Sequence, residues 1–162
     1  MAPRERRGRT TTRKAAIGGA VAAGVVGLWA GPAAAAWPGT PPTPIAPFPP
    51  TAVEVDLTNR LVQGNGSIDA QEIDWYTFVS PKTGEHNIST STPTSNLDTV
   101  LGVYDSAGNR LAYNDDGGFS GDPLDSNLNV TLTEGVRYYF GVTNYSNNAT
   151  PGAYSWFVRA PK

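Results

Sequence analysis

Between residues 74 and 158 the chain alternates apolar and polar side chains in short runs. "DWYTFV" (74–79) sets Tyr76 and Phe78 on one side, and "LDTVLGVYD" (97–105) sets Leu97, Thr99, Leu101 and Val103 together. In "NLNVTLT" Leu128, Val130 and Leu132 oppose Asn127, Asn129 and Thr131. "VRYYFGVT" aligns Val136, Tyr138, Phe140 and Val142, and "AYSWFV" aligns Tyr154, Trp156 and Val158. A period of two is that of strands with one face buried. "GNGS", "SPKTG", "DSAGN", "TEG" and "NNATPG" read as the turns between them. No segment carries a helical period. The prediction is an all-β fold, a single antiparallel β-sandwich or jelly roll. A domain of about 110 residues can bury roughly 60–70% of its unfolded surface, enough for one core.

The segments before this pattern differ in kind. Residues 37–52, "WPGTPPTPIAPFPPTA", hold seven of the fourteen prolines and predict an extended spacer rather than a helix or central strand. Residues 1–36 run from a basic stretch ending at Lys14 through an apolar run to "GPAAAA", where Ala34 and Ala36 fit small-x-small cleavage. This is the order of a signal peptide, with Trp37 as the expected new terminus and residues 53–162 as the domain. The Arg6-Arg7 pair leaves the Sec and twin-arginine routes both open. The expected product is secreted and not membrane-embedded.

Charge sharpens this division. Six of the twelve basic residues lie in 1–36, so the remainder has six basic and thirteen acidic residues, a formal charge of −7. Such a surface repels phosphate backbones, which disfavours nucleic acid, and suits cations. With no cysteine there is no disulfide staple and no thiolate metal site.

Candidate chemistry concentrates in "YNDDGGFSGDPLDS" (113–126). Asn114, Asp115, Asp116, Asp122 and Asp125 supply oxygens on a loop whose Gly117, Gly118 and Gly121 permit tight turns. Asp98, flanked by Leu97 and Thr99, is a carboxylate in an apolar run that needs a partner. Two readings stand: a solvated Asx-rich turn, or a calcium site. The spacing is not that of an EF-hand. The one histidine, His86, reads as an outward or edge-strand residue, and no nucleophile–histidine–carboxylate pattern accompanies it. The chain is therefore expected not to be an enzyme. Tyr104, Tyr113, Phe119, Tyr139 and Tyr145, and with them Phe157, fall on loops or off the apolar alternation. They are candidates for stacking on sugars or gripping a peptide, against the alternative of a second, partly buried sheet face. Trp75 is ambiguous, lying opposite Tyr76 and Phe78.

"DWYTFVSPKTGEHNIST", "LDTVLGVYDSAGNRLAYNDDGG" and "LDSNLNVTLTEGVRYYFGVTNYSNNATPGAYSWFV" together resemble the bacterial pre-peptidase C-terminal domain, over residues 69–158. The D-x-Y-x-F strand, the L-D-T-x-L strand, the N-D-D loop and the G-x-x-Y-Y-x-x-V strand occur in order. The resemblance implies an extracellular, non-catalytic β-sandwich that binds matrix polymers or assists a secreted peptidase. It also implies, as in clostridial collagenases, calcium held by acids entering the domain and near the first D-x-Y strand. Here those positions are Glu54, Asp56, Asn59 and Asp74. The sequence departs from the pattern at Gln71, where an acid is expected, although Glu72 is adjacent, and no peptidase precedes the module.

Overall fold

The computed structural model describes residues 47–69, 72–117, 121–145 and 151–162; the predicted signal peptide and residues 37–46 lie outside these. The described residues form nine strands: β1 (Val53–Glu54), β2 (Leu61–Ile68), β3 (Ile73–Val79), β4 (Gly84–Ser91), β5 (Thr99–Asp105), β6 (Arg110–Asn114), β7 (Asn127–Leu132), β8 (Arg137–Asn144) and β9 (Gly152–Arg159). They make a five-stranded sheet, β1-β3-β8-β5-β6, and a four-stranded sheet, β2-β9-β4-β7. The fold is a β-sandwich, antiparallel except where the short β1 pairs with β3 in parallel. Among the described residues no helix is long and apolar enough to cross a membrane.

The alternation builds the core as expected. Tyr76, Phe78, Leu101, Val103, Phe140 and Val142 from one sheet meet Ile88, Leu128, Val130, Leu132, Tyr154, Trp156 and Val158 from the other. Tyr76 and Phe140 stack at 4.7 Å, with Trp156 tilted against Tyr76 at 5.0 Å. Val136 departs from the expected alignment. It precedes β8, in the turn that bonds back to Ser80, and is exposed.

"GNGS", expected as a turn, lies inside β2, whose Gly64 and Gly66 pair with Trp156 and Tyr154 of β9. A Cβ on Gly64 would stand 2.3 Å from the Trp156 ring, and one on Gly66 2.4 Å from that of Tyr154. The glycines provide room for two large rings across the strand pair, and no chain reversal occurs.

The outer face of the five-stranded sheet is also apolar. Val100 and Tyr104 are buried there, packed with Ile73, Trp75, Tyr139 and Phe48. Phe48 comes from the proline-rich stretch. Its ring stacks on Tyr139 at 3.9 Å and meets Trp75 edge-on at 5.2 Å. The last residues of that stretch thus pack on the sandwich. The alternative of a second, partly buried sheet face describes this surface, and it accounts for Trp75.

Candidate functional site

The acidic loop follows β6, and an isolated bridge between Gly117 and Ser126 draws its ends together. Asn114 organises its start. Its Oδ1 accepts from the amides of Asp115 and Asp116 at 2.9 and 3.2 Å, and its Nδ2 donates to the carbonyls of Asp116 and Asn127. Asp122 accepts from the Leu124 amide in a local Asx turn. Asp125 is buried, and its Oδ1 accepts from both the amide and the hydroxyl of Thr92, at 2.7 and 2.9 Å. Beside it Thr90, Thr99 and Ser126 bond to one another. Asn114, Asp122 and Asp125 thus hold the loop's own backbone and its anchor.

The remaining acids behave differently. Asp98 lies just before β5 and is pushed up to about 6 by burial and then by the negative charges of Asp116 and Asp115. Asp98 and Asp115 are half-buried and Asp116 is exposed.

The acids around the start of the domain are dispersed and individually engaged. Glu54 pairs with Arg137 at 2.6 Å. Asp56 accepts from the Thr58 amide at 3.0 Å, which holds its carboxyl below the usual range, and Asn59 is exposed. Asp74, on β3, accepts the Tyr154 hydroxyl at 2.6 Å. Because the Tyr154 proton goes to Asp74, the 2.8 Å contact between the two tyrosines is donated by Tyr76. Burial pushes Asp74 up to about 6, and Glu72 adds to the effect. Among the described residues no group of three or more His, Cys, Asp or Glu side chains is placed to hold a metal ion.

His86 is fully buried, contrary to the outward position expected. Its inward place follows from β4: Ile88, two residues on, shares its side, and both face the core. Its Nδ1 donates to the Gly84 carbonyl and its Nε2 meets the Ser80 hydroxyl, each at 3.0 Å. Burial pushes its pKa down, so the ring is neutral. Ser80 is 1% exposed, so this serine–histidine pair has no access to a substrate.

The candidate aromatics separate. Tyr104 is fully buried, because Phe48 and Trp75 cover its face of the sheet. Tyr139 lies half-buried beneath Phe48. Tyr113 and Tyr145 are exposed, and the Arg110 guanidinium sits 4.7 Å over the Tyr113 ring. Phe119 lies outside the described residues.

With this geometry in place, solved structures give the chain a context. The pre-peptidase C-terminal domain of a collagenase from Bacillus anthracis aligns with 70% of this chain and 100% of its own, at 22% identity and a TM-score of 0.54. The fold is that of a pre-peptidase C-terminal domain. A surface-associated copper-binding protein important in copper acquisition by Methylomicrobium album BG8 aligns at 12% identity and a TM-score of 0.50, covering 68% of this chain and 98% of its own. A periplasmic inhibitor of g-type lysozyme from Aeromonas hydrophila reaches 15% identity and 0.47, over 67% and 94%. No protein-family model and no curated protein matches the sequence. At these identities the likeness is one of architecture.

Proposed function

We propose that the chain is an exported, non-catalytic binding module built on the pre-peptidase C-terminal fold, stabilised by a calcium ion at Asp98, Asp115 and Asp116. The observation that carries the calcium reading is the raised carboxyl of Asp98, buried and then acted on by the negative charges of Asp116 and Asp115, an effect that a cation would relieve. Calcium takes about six to eight oxygens at flexible distances, so three carboxylates with backbone carbonyls and water suit it better than a smaller ion. The ion would draw the three side chains together and tie the start of β5 to the acidic loop. Export is supported by the order of residues 1–36. The non-catalytic reading is supported by the burial of His86 and Ser80, the one nucleophile–base pair that the described residues form around histidine.

Thermal melting of chelator-treated protein with and without calcium tests this. Extracellular calcium modules bind at about 10⁻⁴–10⁻³ M, so millimolar calcium should raise the melting temperature by several degrees. Magnesium should do much less, since it requires a tight octahedron and sheds water reluctantly. A melting point unmoved by calcium would leave the loop a solvated turn.

A further inference from the structure

The outer face of the four-stranded sheet has almost the opposite character to that of its neighbour. Its outward positions include five amides, Gln63, Asn65, Asn87, Asn127 and Asn129, with serines on β2, β4 and β9 between them. At one end of this face a shallow groove is lined by Asn87, Asn127 and Asn129, by Glu85, Arg159 and Lys162, and by the apolar Ala160 and Pro161.

The amides in the groove are not independent. Asn87 Nδ2 donates to Asn127 Oδ1 at 2.6 Å and to Asn129 Oδ1 at 2.9 Å. One side chain thus fixes the planes of two others on the neighbouring strand. With both Oδ1 atoms turned to Asn87, the Nδ2 groups of Asn127 and Asn129 are turned away from it, as donors. Asn87 Oδ1 points in the reverse direction as an acceptor, and Asn87 is paired across the ladder with Arg159 of β9. Among the described residues the one ion pair is that of Glu54 and Arg137, which leaves Arg159 outside any. Phe157, two residues from Arg159 and on the same side of β9, is half-buried. The groove therefore offers oriented neutral donors, an acceptor, a flanking acid and two flanking bases, and an adjacent apolar ring.

We infer that this groove is a binding site for a neutral polysaccharide. Sugar hydroxyls donate and accept at once, so they match a mixed array of amide donors and acceptors, while a sugar's C–H face matches an apolar ring. The groove sets one acid, Glu85, against Arg159 and Lys162, so it is the domain's overall negative charge that opposes an anionic polymer. Pre-ordered side chains lose less rotamer freedom on binding than free ones. The inference rests on the binding-module reading and gives that module a ligand class. Of the aromatics that the sequence suggested it keeps Phe157 and leaves aside Tyr104, which is buried, and Tyr139, which lies beneath Phe48.

Affinity gel electrophoresis of the exported form tests it, with a soluble β-glucan, a galactomannan and an arabinoxylan as probes and alginate as the anionic control. At least one neutral polymer should retard the protein and alginate should not. Asn129→Ala and Arg159→Ala, both at exposed positions, should each weaken retardation about tenfold, equivalent to about 1.4 kcal/mol, with unchanged melting curves. Tyr113→Ala, on the other sheet, should bind as the parent does. No retardation by any neutral polymer, retardation by alginate alone, or variants that bind like the parent would each overturn the inference. The calcium-dependent melting shift, measured on the same samples, depends on different side chains. A shift without retardation discards the sugar site alone, and retardation without a shift discards the calcium site alone.

Discussion

The acids at the start of the domain and those at its acidic loop share a residue type and differ in what each carboxylate faces. Glu54 has Arg137, Asp56 has the Thr58 amide, and Asp74 has the Tyr154 hydroxyl. Each is answered by a protein donor. Asp98, by contrast, is raised by burial and then by the charges of two further acids, Asp116 and Asp115. A count of carboxylates would rank the two regions alike. The direction of the fields separates them, and the proposed calcium ion rests on that difference.

The comparison breaks hardest at Gly66. Replacing it with Ala would put a Cβ 2.4 Å from the Tyr154 hydroxyl and evict the phenol that bonds Asp74. Overpacking costs about 1–3 kcal/mol, and a buried hydrogen bond to a charged group adds to that, so Gly66→Ala should destabilise by about 3 kcal/mol or more in urea titration. The calcium response of whatever folded protein remains should be unchanged. A cost under about 1 kcal/mol would show that the ring has room to move.

Titration gives the next effect. Asp74 is raised from 3.8 to about 6, chiefly by burial. Between those values the folded state binds more protons than the unfolded one, so stability is greatest below about pH 4 for this group and falls as pH rises through 6. A shift of about two units corresponds to roughly 3 kcal/mol at most. Asp98 is also raised to about 6 and acts in the same direction, reduced by its exposure to solvent. Asp74→Asn should remove most of the decline in melting temperature between pH 4 and 7. Calcium should remove only the part due to Asp98. A flat pH profile in the parent protein would contradict both assignments.

Calcium itself comes third. A ligand of the folded state adds about 2.7 kcal/mol at one hundred times its Kd. Asp115→Asn with Asp116→Asn should abolish that gain, and Glu54→Gln with Asp74→Asn should leave it intact. The reverse pattern would transfer the ion to the start of the domain, where the family resemblance alone puts it.

The strands were legible wherever one side of the alternation met the core and the other met water, as in β7, where Leu128, Val130 and Leu132 are buried and Asn129 and Thr131 exposed. β2 was not legible, because its inward glycines serve rings supplied by β9 and resemble turn residues when read alone. Tyr104 and Trp75 were ambiguous for another reason. Alternation distinguishes two faces of a strand but does not say which is wet, and here Phe48 dries the second one. His86 was misplaced because a lone imidazole carries no facing. At the candidate site the acid-rich composition was plain, whereas the answering groups Arg137 and Tyr154 lie far along the chain and pair only after folding.

The smallest effect concerns Glu54, and it sharpens the comparison from the other side. Its carboxylate meets Arg137 at 2.6 Å, but the two side chains are 59% and 40% exposed. Exposed pairs contribute about 0–1 kcal/mol because water and salt screen them and two long side chains must be held still. Arg137 also donates to the Thr77 hydroxyl at 3.1 Å, so it keeps a partner when Glu54 is neutralised. Glu54→Gln should therefore cost under about 1 kcal/mol in low salt and nothing measurable at 1 M salt, where the Debye length is about 3 Å. The pair does more for placement than for stability: it reaches over β3 to tie the two-residue β1 to Arg137 of β8. A loss well above 1 kcal/mol that persists in high salt would show that Glu54 fixes the parallel edge of the sheet. The start of the domain would then hold an acid as structurally committed as Asp125 is in the loop.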